Sequence, residues 1–373
     1  MSASQYLTLS QIESQLAALP SARERTILWA RLAIERYRQG AQDLGLGALR
    51  AAESAAAGLP ADQRDALVES WLVDATVVKL FFTGEFAASA QRSVEALARW
   101  GPALPASRRL EMTSRAALHL CAAFRRSEAI VMARRVLADA ARTPYAEFQA
   151  HLTLGIVCGR AGLGDEGLDH FRRAKNAASA SGDAFSVGSV INRMAVLQGF
   201  SAWERSFEGT LDGETLKQAI VALRSTIDLW RDRGQHQSLI DQHLLLAQLL
   251  VEQGQIDEAM GLWAQHVPVA REQGHVHLWP PHQAHWARRM AMRGQVRLAI
   301  PLIEQAEQAL PALPQGLLIW RAALHHLAGA CAAVGLSAQA ARHREAEAAA
   351  AADFETDRRG LQAELTAARQ APG

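Results

Sequence analysis

Apolar residues recur along this chain at three- and four-residue spacing, and glycines interrupt them at regular intervals. The clearest stretch runs from Leu244 to Glu272. It carries Leu244, Leu245, Ala247, Leu249 and Leu250, then Gln253-Gly254, then Ile256, Ala259 and Trp263. That pattern predicts two amphipathic helices joined by a tight turn at Gly254. The segment from Trp286 to Ala309 repeats it, with Gly294, Val296, Ala299 and Ile303 in the same slots. Leu327 to Glu347 is a third copy with Gly335, Ala340 and Arg344, and an earlier copy, Leu154 to Ala174, carries Gly155, Gly162, Gly167, Phe171 and Ala174.

Each slot has a physical reason. A small residue late in the first helix (Gly155, Ala247, Ala287, Ala328) lets two helices approach closely, and the turn glycine takes a left-handed conformation without a Cβ penalty. A small residue early in the second helix (Gly167, Ala259, Ala299, Ala340) meets the first helix at the crossing. The bulky residue four positions on (Phe171, Trp263, Ile303) fills the groove. Arg344 breaks that rule, as a capping repeat with a polar outer face would. On these residues the chain resembles the tetratricopeptide repeat family. Gly254 and Gly294 are 40 residues apart and Gly294 and Gly335 are 41, against about 34 in the standard unit. Such stretched repeats are similar to those of bacterial signalling and regulatory members of the family.

Weaker copies fill the N-terminal half. Val73 to Leu97 has Gly84 and Phe86 at its turn, Ala116 to Val136 has no turn glycine, and Ile27 to Ala57 reads as a first hairpin broken near Gly40. A fifth unit reads as split by a loop insertion over 198–213. The expected architecture is all-α: a right-handed α-solenoid of about eight hairpins with a C-terminal helix. Its expected divisions are N-terminal helices and first hairpin (1–62), solenoid (63–348) and C-terminal helix (349–373).

Composition agrees with this architecture. Apolar residues make up 49% of the 373 and charged residues 21%, enough for a continuous core and too ordered a mix for intrinsic disorder. A net charge of +1 and a pI near 7.9 give no long-range pull on nucleic acid or anionic membrane. Cys121, Cys158 and Cys331 sit apart in apolar helical contexts, as buried thiols in a reducing compartment do. The N-terminal stretch has no secretory pattern, and no apolar run reaches the ~18 residues of a membrane span. A cytoplasmic protein is expected.

No phosphate-binding loop, dinucleotide fingerprint, GxSxG elbow or HExxH motif occurs. No enzyme activity, cofactor or metal is expected. Histidines 275, 277, 282 and 285 surround Trp279-Pro280-Pro281. His282 and His285 can share a helix face, yet no acid or thiol joins them at ligand spacing, so a polar inter-repeat loop is the preferred reading. Trp203 and Phe207, in the insertion, either anchor a partner or fold back to plug the groove between repeats. Counting from the small-residue slots, Asp74, Asn192, Arg193, Asp241, Gln248, Arg288 and His325 should be exposed on the concave face, where a protein or peptide partner would bind. The set lacks the Lys and Asn run of the family's carboxylate clamps. His325 and His326 are adjacent and should point to different faces.

Phe354, Leu361, Leu365 and Ala368 sit at seven-, four- and three-residue spacing, a short coiled-coil-like seam that either caps the last repeat or joins two copies in a homodimer. A stretched array that ends in such a helix resembles the sensory half of certain bacterial diguanylate cyclases, although no GGDEF-type loop is present. The expected function is a non-enzymatic protein or peptide interaction module. The alternative is a sensor of a peptide or small molecule that signals through its C-terminal helix.

Overall fold

The computed structural model describes residues 7–18, 20–232, 239–272, 279–313 and 318–370. Among them there are only helices, turns and short 3-10 segments. A short first helix, α1 (Leu9–Ala17), precedes eight successive hairpins. The first four are α2 (Ala22–Arg38) with α3 (Gln42–Ala57), α4 (Ala66–Phe82) with α5 (Phe86–Trp100), α6 (Ala106–Ala122) with α7 (Arg126–Ala138), and α8 (Pro144–Arg160) with α9 (Gly164–Ala180). The next two are α10 (Ala184–Glu208) with α11 (Gly213–Asp232), and α12 (Ile240–Glu252) with α13 (Ile256–Glu272). The last are α14 (Trp279–Met292) with α15 (Val296–Ala309), and α16 (Leu318–Ala333) with α17 (Ser337–Gln370). No helix among the described residues is long and apolar enough to cross a membrane.

Local chemistry sets the ends of these helices. The Ser21 hydroxyl accepts from the Glu24 N–H while the Glu24 carboxylate accepts from the Ser21 N–H, a reciprocal cap that starts α2. At the other end of a first helix, Gly254 sits at φ 84°, and the Gln255 N–H reaches back to the Leu250 carbonyl at 2.8 Å. The third hairpin makes the same turn without glycine. Phe124 adopts φ 61° there, with the Arg160 guanidinium 4.9 Å from its ring centroid. The turn survives because its hydrogen bonds are kept, the Arg125 N–H reaching the Leu120 carbonyl at 2.9 Å.

Inside each hairpin the small-against-bulky pairing operates. A Cβ on Gly155 of α8 would lie 2.6 Å from the Phe171 ring of α9, so the aromatic occupies the space that a side chain would need. Phe171, Trp263 and Ile303 are all buried.

The chain forms two compact units, residues 1–193 with 361–373, and residues 194–360. In the first, Leu28, Leu49, Leu72 and Val78 share one core, so the stretch up to residue 62 is continuous with the second hairpin rather than set apart from it. A second core there gathers Leu120, Ile130, Leu154 and Val157 with Leu361 and Leu365 of α17. In the second unit, Ile303, Leu324, Leu327 and Cys331 pack with Ala340 and Ala350.

The structure corrects three expectations about elements. The segment 198–208 is not a loop, because α10 runs unbroken to Glu208. Gly199 is a close-approach residue rather than a breaker: a Cβ there would lie 2.6 Å from Leu245. The turn falls at Gly209, φ 67°. The C-terminal seam is not free for a homodimer, since Leu361 and Leu365 are consumed in the core of the first unit and Phe354 is also buried. Nor does a separate element begin at residue 349, because α17 continues the last hairpin without interruption.

Replacing Gly155 by Val should destabilise the protein by about 1–3 kcal/mol through overpacking against Phe171. Denaturant unfolding checks this, and Gly261→Val, which nothing crowds, should fall well short of that loss.

Candidate ligand-binding surfaces

Polar side chains gather on the first helices of both units, and each unit uses a different chemistry. In the first unit the centre is Asp74 on α4, only 3% exposed. Its carboxylate accepts from Arg108 of α6 at 2.5 Å and pairs with Arg115 at 2.8 Å. The Arg108 guanidinium lies 3.6 Å from the Trp71 ring centroid and donates to the Ser70 carbonyl at 3.1 Å. Arg115 donates to the Tyr145 hydroxyl on α8. Glu111 is buried 3.6 Å from Arg108. Burial pushes its carboxyl up, against the opposing pull of Arg108 and Arg115. At the edge of this network Arg38 bridges Glu35, Asp183 and Ser186 at 2.6, 2.5 and 2.7 Å. Arg31, Arg38, Arg108 and Arg115 thus accompany Glu35, Asp74, Glu111 and Asp183, so the charges of this layer balance.

Such a network is costly to break rather than free to bind. Asp74→Asn should destabilise the protein by about 3–5 kcal/mol, because Arg108 and Arg115 would keep their buried charge without its counter-charge. Urea unfolding measures the loss, and an effect under about 1 kcal/mol would show the network to be dispensable.

In the second unit the polar floor is made of histidines and aromatics. Gln248 of α12 donates from Nε2 to His282 Nδ1 at 2.9 Å, and its Oε1 accepts from His285 Nδ1. Arg289 donates to the other His285 nitrogen at 3.2 Å, so this hydrogen bonding assigns a neutral His285. The Trp203 ring stacks on His282 at 5.7 Å, and His285 stacks on His326 at 3.8 Å. Both nitrogens of His326 are buried without a hydrogen-bond partner. Above this floor lies a half-exposed rim. Arg288 Nη1 is 2.9 Å from His325 Nε2, and Glu347 of α17 is 3.0 Å from His325 Nδ1. Phe207 meets His325 edge-on at 5.2 Å. Gly329 makes room for Arg288, whose Nε would lie 2.6 Å from any added Cβ. Further along α17, Arg358 pairs with Glu204 of α10 at 2.8 Å.

The structure therefore brings Gln248, Arg288, His325, Trp203 and Phe207 into one constellation. Asp74 and Gln248 are buried, contrary to their expected exposure, because adjacent repeats supply their polar partners. Trp203 is 1% exposed on a helix, so it plugs the first-helix layer rather than reaching out. Asp241 and Arg193 are exposed and Asn192 is half-buried. His282 and His285 flank an amide and join no acid or thiol at ligand spacing among the described residues; His275 and His277 lie outside those residues. Sequence reasoning misses Arg108 and Arg115, and it names His326 without placing it in the floor. A signal for them exists: Trp71, Arg108 and Tyr145 recur every 37 residues, and His285 and His326 both stand nine residues before a turn glycine.

Burial holds His282 down to about 3, and burial with the Arg289 and Arg288 charges holds His285 well below its usual value. Burial likewise depresses His326. A group whose folded value is depressed contributes its stability above its unfolded value, near 6.5, and loses it as pH falls toward the folded value. The melting temperature should therefore drop as pH falls from about 6.5 to 4, and His282→Gln should flatten that slope. An unchanged slope would show that these rings do not carry the acid sensitivity.

No protein-family model and no curated protein matches the sequence. Solved structures do match in fold. A Rap protein complexed with competence and sporulation factor aligns over 95% of this chain and 92% of its own, at TM-score 0.57 and 13% identity. The Rap conjugation gene regulator of plasmid pLS20, in complex with the Phr* peptide, aligns over 94% and 98%, at TM-score 0.51 and 13% identity. The likeness shows the fold, an all-α helical-repeat solenoid. It lends the cyclase resemblance no support.

Proposed function

We propose that this protein is a non-enzymatic, cytoplasmic interaction module, of bacterial regulatory type, that binds a peptide or an extended segment of a partner protein. The observation that carries this reading is the half-exposed rim of Phe207, Arg288, His325 and Glu347 on a rigid, buried floor. Rigid aromatic and arginine groups above a desolvated layer are what peptide recognition uses, since little ordering is left to complete on binding. The fold is shared with a Rap protein solved with competence and sporulation factor and with a Rap conjugation gene regulator solved with the Phr* peptide, which supports a peptide as the class of ligand. Recognition is by shape and polar contact rather than by net charge, which is only +1.

The sensor reading is the second form of this proposal, and α17 favours it. Glu347 belongs to the rim, and the same helix continues to Arg358 on Glu204. A ligand on the rim therefore touches the element that would pass the signal on.

Peptides selected from a display library against the full chain test the proposal. Arg288→Ala and His325→Ala should each weaken a selected peptide tenfold or more in fluorescence anisotropy, about 1.4 kcal/mol. Selected peptides that bind both variants as tightly as the parent protein would refute the rim, and a library yielding no binder would refute the peptide class.

A further inference from the structure

One slot of the hairpin holds an apolar pair in three repeats, a pair with at least one charged residue in the first, second and fifth (Arg36 with Ala48, Leu80 with Arg92, Arg205 with Lys217), and the same cysteine–histidine pair in the remaining two. Four residues before the turn position and eight after it, the two helices of a hairpin face each other. In the third, sixth and seventh hairpins these slots hold apolar pairs: Leu120 with Met132, Leu250 with Leu262, and Met290 with Leu302. In the fourth hairpin the pair is Cys158 with His170, and in the eighth it is Cys331 with His343. A carboxylate joins each: Glu166 in the fourth, and Glu307 from α15 in the eighth. In each triad the thiol sulfur, an imidazole nitrogen and a carboxylate oxygen lie within 4.8 Å of one another. His343 Nε2 is 2.6 Å from Glu307 Oε1. Both cysteines are buried, and the histidines and carboxylates are half-buried.

We propose that Glu307, Cys331 and His343 form a Zn2+ site, and that Cys158, Glu166 and His170 form a second one in the equivalent slot of the fourth hairpin. Sulfur, imidazole and carboxylate together suit Zn2+, which is borderline-soft and takes these three ligands in tetrahedral geometry with water in the fourth position. Ligand atoms around such an ion stand roughly 3.3–3.8 Å apart, so side-chain rotations of about an ångström close either triad. Coordination releases the thiol proton to solvent and takes the imidazole neutral, so affinity rises with pH. The eighth-hairpin site is the tighter. In the fourth hairpin Glu166 already holds Arg369, and His151 Nδ1 sits 2.9 Å from His170 Nδ1, so the metal must displace the arginine there. Bound in the eighth hairpin, the ion ties α15, α16 and α17 together, adding to the apolar contact that Ala340 makes at the start of the C-terminal helix.

The test is metal stoichiometry on the full chain. Purified protein is dialysed against micromolar Zn2+ and assayed by elemental mass spectrometry. A parallel Co2+ titration is read by its thiolate-to-metal charge-transfer band. Two ions per chain are expected for the parent and for Cys121→Ser, whose thiol belongs to neither triad. Cys331→Ser and Cys158→Ser should each bind one ion, and the double variant none. His343→Ala should bind one ion and lose the tighter phase of the titration. Serine is nearly isosteric with cysteine, and circular dichroism confirms that each variant is folded. Binding of less than half an ion by the parent overturns the proposal. So does a stoichiometry that Cys331→Ser leaves unchanged, which would mark surface binding only. Loss of one ion in Cys331→Ser with none lost in Cys158→Ser overturns the fourth-hairpin site.

Discussion

The close approach of two helices within each hairpin governs the rest of the molecule. At Gly155 a ring takes the place of a side chain, and Phe171 fills the resulting groove. Ala259 and Ala299 are fully buried with Trp263 and Ile303 in the corresponding hairpins. Because the crossing is fixed, residues at a given distance from the turn meet the same neighbours in every hairpin. A repeat protein of this kind is thus a set of addressed slots, each repeat packing only on its neighbours. Apolar residues in a slot make core. Polar residues in the same slot of adjacent repeats meet each other.

That rule explains why the polar content of the first helices is buried and ordered. Arg108 and Tyr145 follow Trp71 at 37-residue intervals on successive first helices, and a guanidinium lands on an indole while another reaches a phenol. His285 and His326 share a slot and stack at 3.8 Å. Desolvating such groups is expensive unless each finds a partner. The first unit solves this by balancing four arginines against four carboxylates, and the second by keeping its rings neutral. The result in the second unit is a stiff floor, with its half-exposed groups held at the rim.

Much of the fold is legible in the sequence because glycine and small-residue spacing report the crossing directly. The hairpins and the turns at Gly40, Gly84, Gly254, Gly294 and Gly335 come from it, while the burial of the cysteines is legible from their apolar helical neighbours. The failures also have physical causes. Gly199 reads as punctuation, yet it marks a helix crossing, and only its neighbours in space distinguish the two roles. Phe124 makes a left-handed turn that glycine normally marks. Asp74 and Gln248 read as exposed because they are polar, whereas their partners come from repeats 34 to 37 residues away. The C-terminal seam is legible as a seam, but the surface that buries it lies far off in sequence.

The proposed ligand surface is the first-helix face of the second unit. Hydrogen–deuterium exchange on the full chain, with and without a selected peptide, tests that assignment most directly. Slowed exchange in residues 279–292, 318–333 and the α17 segment around Glu347 is the predicted result. Protection confined to α11, α13 and α15 would contradict it, because the ligand would then lie on the opposite layer.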